Sequence, residues 1–345
     1  MLSVVLPFIN DILRYDSLSI VGLEKNTGKT ECLKYVLERL PLDIKRIAVT
    51  SIGIDGETVD QVTRTQKPEI VLREGMYFGT SEAHYRQRRL VSELIDVSDE
   101  STSLGRVVTA KALTRGKILL SGPSSTAGLQ RWMQSTRRHG IDLAIIDGAL
   151  SRMSLASPAV SQAMILATGA AYSANLTTLV NKTAFVVELI NLPLTSEDNL
   201  LRLLPLERGV WAVNRDGTMH ELNGVTALSQ EIRFDGMEQC QTLYVAGALV
   251  DGLLEKVRRN KNLRQVELVV RDFTKIFVTP QQFHLFIKSG GRMTVLQRSR
   301  LIAVTVNPTS PSGYNLDSDL LCTRLSDAIH LPVHDLLNEE LRIKN

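Results

Sequence analysis

The sequence predicts an α/β fold with a mostly parallel sheet and helices on both of its faces. In the first half, short apolar runs alternate with amphipathic stretches, and this alternation is typical of strands joined by covering helices. A hydrophobic fraction of 43% with 22% charged residues fits a globular protein with a full core. The chain of 345 residues has room for one large domain or two ordinary ones.

The strands of this sheet are predicted from apolar runs. The main runs are Leu18–Val21, Arg46–Ser51, Lys117–Ser121, Asp142–Ile146, Ala163–Ala167 and Arg300–Val306, and Glu69–Leu72 is a shorter one. A turn at Asn214–Gly217 between two further runs predicts a β-hairpin, with strands at Val210–Val213 and Thr218–Leu222. We expect this hairpin to be an insertion or a small subdomain.

Helices are predicted between these strands from their amphipathic patterns and end signals. A helix from Lys29 to Leu40 ends before Pro41, and the charged stretch from Ser81 to Ile95 predicts an exposed helix. A third helix begins after Ser124-Ser-Thr126 and runs through His139, with Gly140 as a left-handed cap. Ser173 is expected to cap a fourth helix, which ends near Ile190.

The net charge of +3 and the positions of the three cysteines limit the classes of function that the sequence supports. The densest basic run, Lys256–Lys261, is typical of a solvated helix end, so no nucleic-acid partner is predicted. Cys32, Cys240 and Cys322 form no CxxC pair, which indicates neither a disulfide framework nor a zinc ribbon. No signal peptide or membrane span is recognisable, and a cytoplasmic location is expected.

The main motif is a phosphate-binding loop, from Gly22 to Thr30, between a predicted strand and a predicted helix. Backbone N–H groups of such a loop and the following helix N-terminus attract phosphate oxygens, Lys29 reaches the terminal phosphates, and the Thr30 hydroxyl can ligate Mg²⁺. Five residues separate Gly22 from Gly28, one more than in the common motif, and the alternative is a chance Gly-Lys-Thr at an ordinary helix start. The predicted nucleotide-binding residues here are Gly22, Lys25, Asn26, Thr27, Gly28, Lys29, Thr30 and Glu31.

Acidic residues after two of the strands are candidate Mg²⁺ ligands. Asp147 closes the run Leu143–Ile146, and Asp55 follows the second strand, so both are expected at the carboxyl edge of the sheet with Thr30. Each precedes a glycine, and a simple Asp-Gly turn is the alternative for both; Glu57 is a weaker candidate. Lys29 and Asp147 are the candidate catalytic residues.

Two later segments contain residue types that bind nucleotides or metals in other proteins. Asn307-Pro308 follows the last strong strand and is a candidate nucleotide contact, with a rigid turn as the alternative. His330 and His334 flank Pro332, which opposes a helical metal pair and favours packed or exposed histidines.

The spacing of the phosphate loop resembles that of dethiobiotin synthetase, whose loop also has five residues before Gly-Lys-Thr. The resemblance implies a P-loop NTPase-type, Rossmann-like core with ATP as the nucleotide. It also implies that Asp55 and the acid of a later strand join Thr30 around Mg²⁺. Asp147 matches that later acid in type and placement only, since the family has Glu there.

Longer phrases resemble a second family. Gly22–Thr30, Thr50–Glu57, Ile145–Ser151 and Ala167–Ala170 are similar to the P-loop subunit of the reactivase of adenosylcobalamin-dependent lysine 5,6-aminomutase. This resemblance implies an ATPase that exchanges damaged cobalamin in a B12-dependent aminomutase, together with a MutS-like ATPase subunit. No Asp-x-His-x-x-Gly motif for cobalamin itself is present.

Three hypotheses follow: a reactivase ATPase with slow, partner-stimulated hydrolysis; a small-molecule kinase or ligase of the dethiobiotin synthetase type; and a non-hydrolysing nucleotide-dependent scaffold. The resemblance of the loop favours ATP over GTP, and Asn181–Ala184 lacks the Asp of a guanine-reading motif. The expected organisation is a nucleotide-binding core over residues 1–204, the hairpin within 205–236, and an α/β part over 237–345 that completes the same domain. A homo-oligomer is compatible with the sequence.

Overall fold

The computed structural model describes residues 7–52, 69–149, 160–222, 234, 236–263 and 265–338. The chain divides into two compact units: unit 1 is Met1–Ala184 with Ser299–Asn345, and unit 2 is Phe185–Arg298. These boundaries differ from the expected ones after residues 204 and 236. Among the described residues, no helix combines the length and the apolar character that a membrane crossing requires.

Unit 1 contains a nine-stranded sheet, and seven neighbouring strands of it are parallel. Its strands are β1 (Ser17–Gly22), β2 (Ile47–Ser51), β4 (Tyr77–Ser81), β5 (Ser92–Thr102), β6 (Gly105–Ala112), β8 (Leu143–Ala149), β9 (Ala163–Gly169), β17 (Arg300–Asn307) and β18 (Val333–His334). Their order is β18-β17-β9-β1-β8-β2-β4-β6-β5, and β4, β6 and β5 are joined antiparallel. The predicted α/β class with a mostly parallel sheet is therefore confirmed, although the sheet is mixed at one edge.

Helices cover both faces of this sheet. The helices of unit 1 are α1 (Pro7–Ile12), α2 (Lys29–Arg39), α3 (Glu82–Arg86), α4 (Thr126–Arg138) and α9 (Ser318–Ile329), and α5 spans Leu176–Ile190. Along β8, Leu143 and Ile145 belong to one buried cluster, which includes α1 and α2 side chains, whereas Ala144 and Ile146 belong to a second cluster with Trp132 of α4. Alternate side chains of a strand point to opposite faces, so these clusters are two separate cores.

The short strands β3 (Ile70–Leu72) and β7 (Gly116–Ile118) form a separate antiparallel pair in unit 1. The predicted strand Lys117–Ser121 is therefore shorter than expected. It also lies outside the large sheet.

Two predictions about helices were wrong. The stretch from Ser81 to Ile95 is helical only over Glu82–Arg86, because the chain then enters β5 and pairs antiparallel with β6, as at Leu94 and Ala110. A distant pairing partner overrides local helix propensity there. The cap of α5 is Asn175, whose Oδ1 accepts a hydrogen bond from the Thr178 N–H at 2.9 Å, and not Ser173.

Unit 2 has a five-stranded sheet in the order β11-β10-β12-β14-β16. Its elements are α6 (Glu197–Leu203), β10 (Val210–Asn214), β11 (Met219–Glu221), β12 (Cys240–Val245), β13 (Leu249–Val250), α7 (Asp251–Arg259), β14 (Glu267–Val270), β15 (Ile276–Phe277), α8 (Pro280–Lys288) and β16 (Arg292–Val295). The predicted hairpin is confirmed: β10 and β11 pair antiparallel, with Gly217 in the turn at φ 82°. The hairpin is the edge of this sheet, since β10 also pairs with β12.

Candidate nucleotide-binding site

The predicted phosphate loop lies where the strand order of the large sheet changes direction. From β1 the chain proceeds to β2 and β4 on one side, and after β8 it crosses to β9, β17 and β18 on the other side. Such a switch point leaves a crevice outside the carboxyl ends of the strands, and ligands of open α/β sheets bind in this crevice. The loop leaves the carboxyl end of β1 and therefore lies at this place.

The loop has a compact backbone held at both ends. Asn26 and Gly28 have positive φ angles of 62° and 90°, the left-handed region that Asn tolerates and Gly adopts freely. Between them, the buried Thr27 hydroxyl donates to the Glu24 carbonyl at 2.8 Å. Before them, the Leu23 N–H donates to the carbonyl of Ala167 in β9 at 2.9 Å. The loop shape is therefore set by backbone conformation and by the neighbouring strand.

Lys29 and Asp147 form the central ion pair of the site. The Lys29 Nζ lies 3.0 Å from Asp147 Oδ1, and the two side chains are 25% and 19% exposed. Lys29 is the first residue of α2, and Asp147 lies near the carboxyl end of the adjacent β8. Lys29 therefore belongs to the first turn of α2, whose N–H groups have no partner within the helix and can donate to an anion.

Asn307 braces the loop from β17. Its Nδ2 donates to the Asn26 carbonyl at 3.0 Å, and its own carbonyl accepts from the Ala170 N–H at 2.9 Å. A Cβ added at Gly28 would lie 3.1 Å from the Asn307 Cβ, so the loop backbone passes close to this side chain. The structure thus joins two segments that the sequence analysis had selected separately, and the Asn307 amide is engaged with the loop itself.

This close packing predicts a large effect of a small substitution in β9. A Cβ added at Gly169 would meet the Asn307 carbonyl oxygen at 2.1 Å, and backbone cannot rotate out of the way. We expect Gly169→Ala to lower the free energy of unfolding by about 1–3 kcal/mol, as overpacking does. Thermal and urea unfolding would measure this change.

Gly252→Ala is the control, because a Cβ there meets nothing within 4 Å and the residue lies in helix α7. It is expected to be neutral or to stabilise by up to about 1 kcal/mol. Equal stabilities of the two variants would contradict the packing described for Gly169.

The remaining predicted site residues differ in their surroundings. Thr30 is half-buried, and Lys25 is exposed. Glu31 is exposed and forms a surface ion pair with Lys34 at 2.8 Å. Pro308 is half-buried, and its carbonyl accepts from the Leu316 N–H at 2.9 Å. Asp55 and Glu57 lie outside the described residues.

Of the predicted Mg²⁺ ligands, Thr30 and Asp147 lie within the described residues. Within the described ranges, no group of three His, Cys, Asp or Glu side chains forms a metal site. Mg²⁺ needs no such group beside a nucleotide, since it keeps several waters and takes one or two carboxylates with phosphate oxygens. A hydroxyl and a carboxylate at the same sheet edge fit that requirement. His330 is the C-cap of α9, with φ 53°, and the His334 ring lies 5.3 Å from the Phe8 ring.

Two residues near the loop were missed by the sequence analysis. Burial raises the pKa of the Cys32 thiol to about 12. The Asp147 carboxylate also raises this pKa, whereas a hydrogen bond with Thr305 lowers it. Burial and the Glu24 carboxylate also raise the pKa of Tyr172, which follows β9. Neither residue belongs to a recognisable motif. Tyr172 lies only two residues beyond the phrase Ala167–Ala170, which was its one indirect signal.

The raised pKa of Cys32 predicts low thiol reactivity. A thiol with a pKa near 12 has almost no thiolate at pH 8, and Cys240, with a pKa raised to about 11 by burial, behaves alike. We expect iodoacetamide to label the half-buried Cys322 first in the folded protein. Peptide mass spectrometry would measure the labelling, with urea-unfolded protein as the control in which all three react. Early labelling of Cys32 in the folded protein would contradict its burial.

The same shift has a consequence for stability. The Cys32 thiol binds its proton more tightly in the folded protein than in the unfolded chain. The protonated thiol therefore contributes to the free energy of unfolding, and this contribution is fully present below pH 9 and is lost as the pH rises towards 12.

Comparisons of the chain with protein-family models, with curated proteins and with solved structures find no match. The functional assignment therefore rests on the residues of the chain and on their geometry.

Proposed function

We propose that this chain binds a nucleoside triphosphate, ATP in preference, with Mg²⁺ at the loop Gly22–Thr30. The observation that carries the proposal is the ion pair of Lys29 with Asp147, whose charged atoms lie 3.0 Å apart. Lys29 follows a loop with two left-handed residues, and this loop leaves β1, the strand at which the strand order changes direction. The proposal includes a P-loop NTPase-type core. The direct adjacency of β1, which precedes the phosphate loop, and β8, which carries the acid, supports that core.

Each residue has a separate task in this proposal. Lys29 exchanges Asp147 for phosphate oxygens, while N–H groups of the first turn of α2 donate to the same oxygens. Asn307 keeps the loop backbone in place. Thr30 and Asp147 hold the hydrated Mg²⁺, which neutralises negative charge on the β- and γ-phosphates when bound.

Calorimetric titration of the full chain tests this proposal. We expect ATP with Mg²⁺ to bind with a stoichiometry of one and AMP to bind much more weakly, because AMP lacks the phosphates that Lys29 contacts. GTP serves as the test of base preference. The absence of any saturable heat with ATP or GTP would remove the proposal.

We further propose that the protein hydrolyses ATP slowly. In this proposal it acts on a B12-dependent aminomutase, together with a MutS-like ATPase subunit. This proposal rests on the resemblance of four sequence phrases. In unit 1, Gly22–Thr30 begins at the end of β1, Thr50–Glu57 at the end of β2, Ile145–Ser151 within β8 and Ala167–Ala170 at the end of β9. The parallel strands β1, β2, β8 and β9 bring the described parts of these phrases to one edge of the sheet.

Hydrolysis assays distinguish this client from the two alternatives. Phosphate release that rises when an aminomutase and a MutS-like subunit are added supports the reactivase, as does recovery of the inactivated mutase. A phosphorylated small-molecule product would identify a kinase or ligase instead. Nucleotide binding without turnover under every condition would indicate a scaffold.

A further inference from the structure

Unit 2 contains a cavity of about 980 Å³, open to solvent on one side, that belongs to no part of the nucleotide site. All of its lining residues lie within Phe185–Arg298. They belong to α5, α6, α8, the β10–β11 hairpin, the strands β12, β14 and β16, and the connections that join α5 to α6 and α8 to β16. Its volume is at the upper end of the range typical of small-molecule sites.

A buried carboxylate is fixed on one wall of this cavity. Glu267, at the start of β14, is 9% exposed, and its Oε1 accepts from the Thr294 and Thr195 hydroxyls at 2.9 and 3.1 Å. Its Oε2 accepts from Asn199 Nδ2 at 3.2 Å. Arg292 forms a long ion pair with Glu267: its Nη2 lies 3.9 Å from Oε2, which is beyond hydrogen-bond distance.

This network leaves acceptor capacity unused. A carboxylate offers about four lone-pair positions, and the three hydrogen bonds to Glu267 leave one on Oε2. Asn214 also lines the cavity; its Nδ2 donates to the Thr218 hydroxyl at 3.0 Å, but its buried Oδ1 has no hydrogen-bond partner among the residues described. Both open positions are acceptors, so a complementary ligand supplies hydrogen-bond donors.

The charges of the lining favour a cationic donor. Four carboxylates, those of Glu188, Asp198, Asp216 and Glu267, face three guanidinium groups, those of Arg202, Arg215 and Arg292. Arg202 is already paired with Asp198 at 3.1 Å. The rest of the wall offers apolar surface from Leu192, Pro193, Leu194, Val213, Phe283, Ile287 and Met293.

We propose that this cavity binds a small organic amine. Its protonated amino group donates to Glu267, and its carbon chain lies against the apolar wall. A charged donor on a buried carboxylate makes a stronger hydrogen bond than a neutral donor does. The proposal does not depend on nucleotide binding by unit 1.

Ligand-observed NMR titrations of the full chain with n-hexylammonium, and with 1-hexanol as its uncharged analogue, test the proposal. We expect saturable binding of n-hexylammonium, at least tenfold weaker binding of 1-hexanol, and at least a tenfold loss of n-hexylammonium affinity in Glu267→Gln. Equal affinity for both probes, no saturable binding, or a folded Glu267→Gln variant with unchanged affinity would overturn it.

A second pair of variants decides the question if Glu267→Gln does not fold. Ile287 and Leu285 are both on helix α8 and are 41% and 38% exposed, but only Ile287 lines the cavity. Ile287→Lys adds a repelling cation to the apolar wall and is expected to lower n-hexylammonium affinity at least fivefold, whereas Leu285→Lys leaves it unchanged. Equal affinities of these two variants would overturn the assignment of the cavity.

Discussion

Replacing Lys29 by alanine is expected to lower the affinity for ATP by about two orders of magnitude while the fold stays intact. A hydrogen bond to a charged group contributes about 1.5–3 kcal/mol, and each 1.4 kcal/mol is a factor of ten in affinity. Lys29 supplies the ammonium at the mouth of the loop, and its present partner, Asp147, is a carboxylate that a phosphate can replace. Calorimetric titration with ATP and Mg²⁺ measures the loss.

The matched control for this change is Lys34→Ala. Lys34 also lies on α2, but it is half-buried and paired with Glu31 at 2.8 Å, so its removal changes the charge equally without touching the loop. Circular dichroism and the melting temperature check that both variants fold. The ion pair of Lys29 with Asp147 is partly exposed, so its loss is expected to cost at most about 1 kcal/mol of stability. An unchanged ATP affinity in Lys29→Ala would refute the phosphate role of the loop.

Replacing Asp147 by asparagine is expected to raise the Mg²⁺ concentration needed for half-maximal ATP binding by about tenfold. An asparagine side chain keeps the shape but removes the negative charge, and Mg²⁺ prefers charged oxygen ligands. The same change releases Lys29 from its ion pair, so ATP binding without Mg²⁺ is expected to persist or to strengthen. A titration with Mg²⁺ at fixed ATP separates the two effects.

Asp142→Asn provides the corresponding control. Asp142 immediately precedes β8, at the opposite end from Asp147, and its carboxylate accepts from the Arg46 N–H at 2.9 Å. Asp142→Asn removes the same negative charge at a position distant from the loop. The Mg²⁺ titration of this variant is therefore expected to match that of the wild type. If Asp147→Asn also gives a wild-type titration, Asp147 does not contact the metal.

Much of the local structure of unit 1 was predictable because the signals are short-range. The strand before the loop, α2 ending just before Pro41, and the cap of α4 by Ser125 all follow from residues a few positions apart. The phosphate-binding role of Gly22–Thr30 stays a prediction, which rests on a glycine, a lysine and a hydroxyl at fixed spacing.

Other features were not predictable because their partners are distant in the chain. The stretch after Arg86 has a helical composition, yet it becomes β5 because β6 offers hydrogen bonds and packing. The bracing of the loop by Asn307 likewise depends on β9 and β17 lying side by side, which no local pattern encodes.

By itself, the sequence determined the α/β class and the hairpin, since backbone preferences and residue spacing act over a few residues. The tertiary structure alone decided that Lys29 meets Asp147, that Asn307 supports the loop, and that Glu267 lies buried in a cavity of unit 2. The physical reason is that these contacts depend on strand order and on packing between distant segments. Residues that are distant in the sequence come into contact in this way only when the chain has folded.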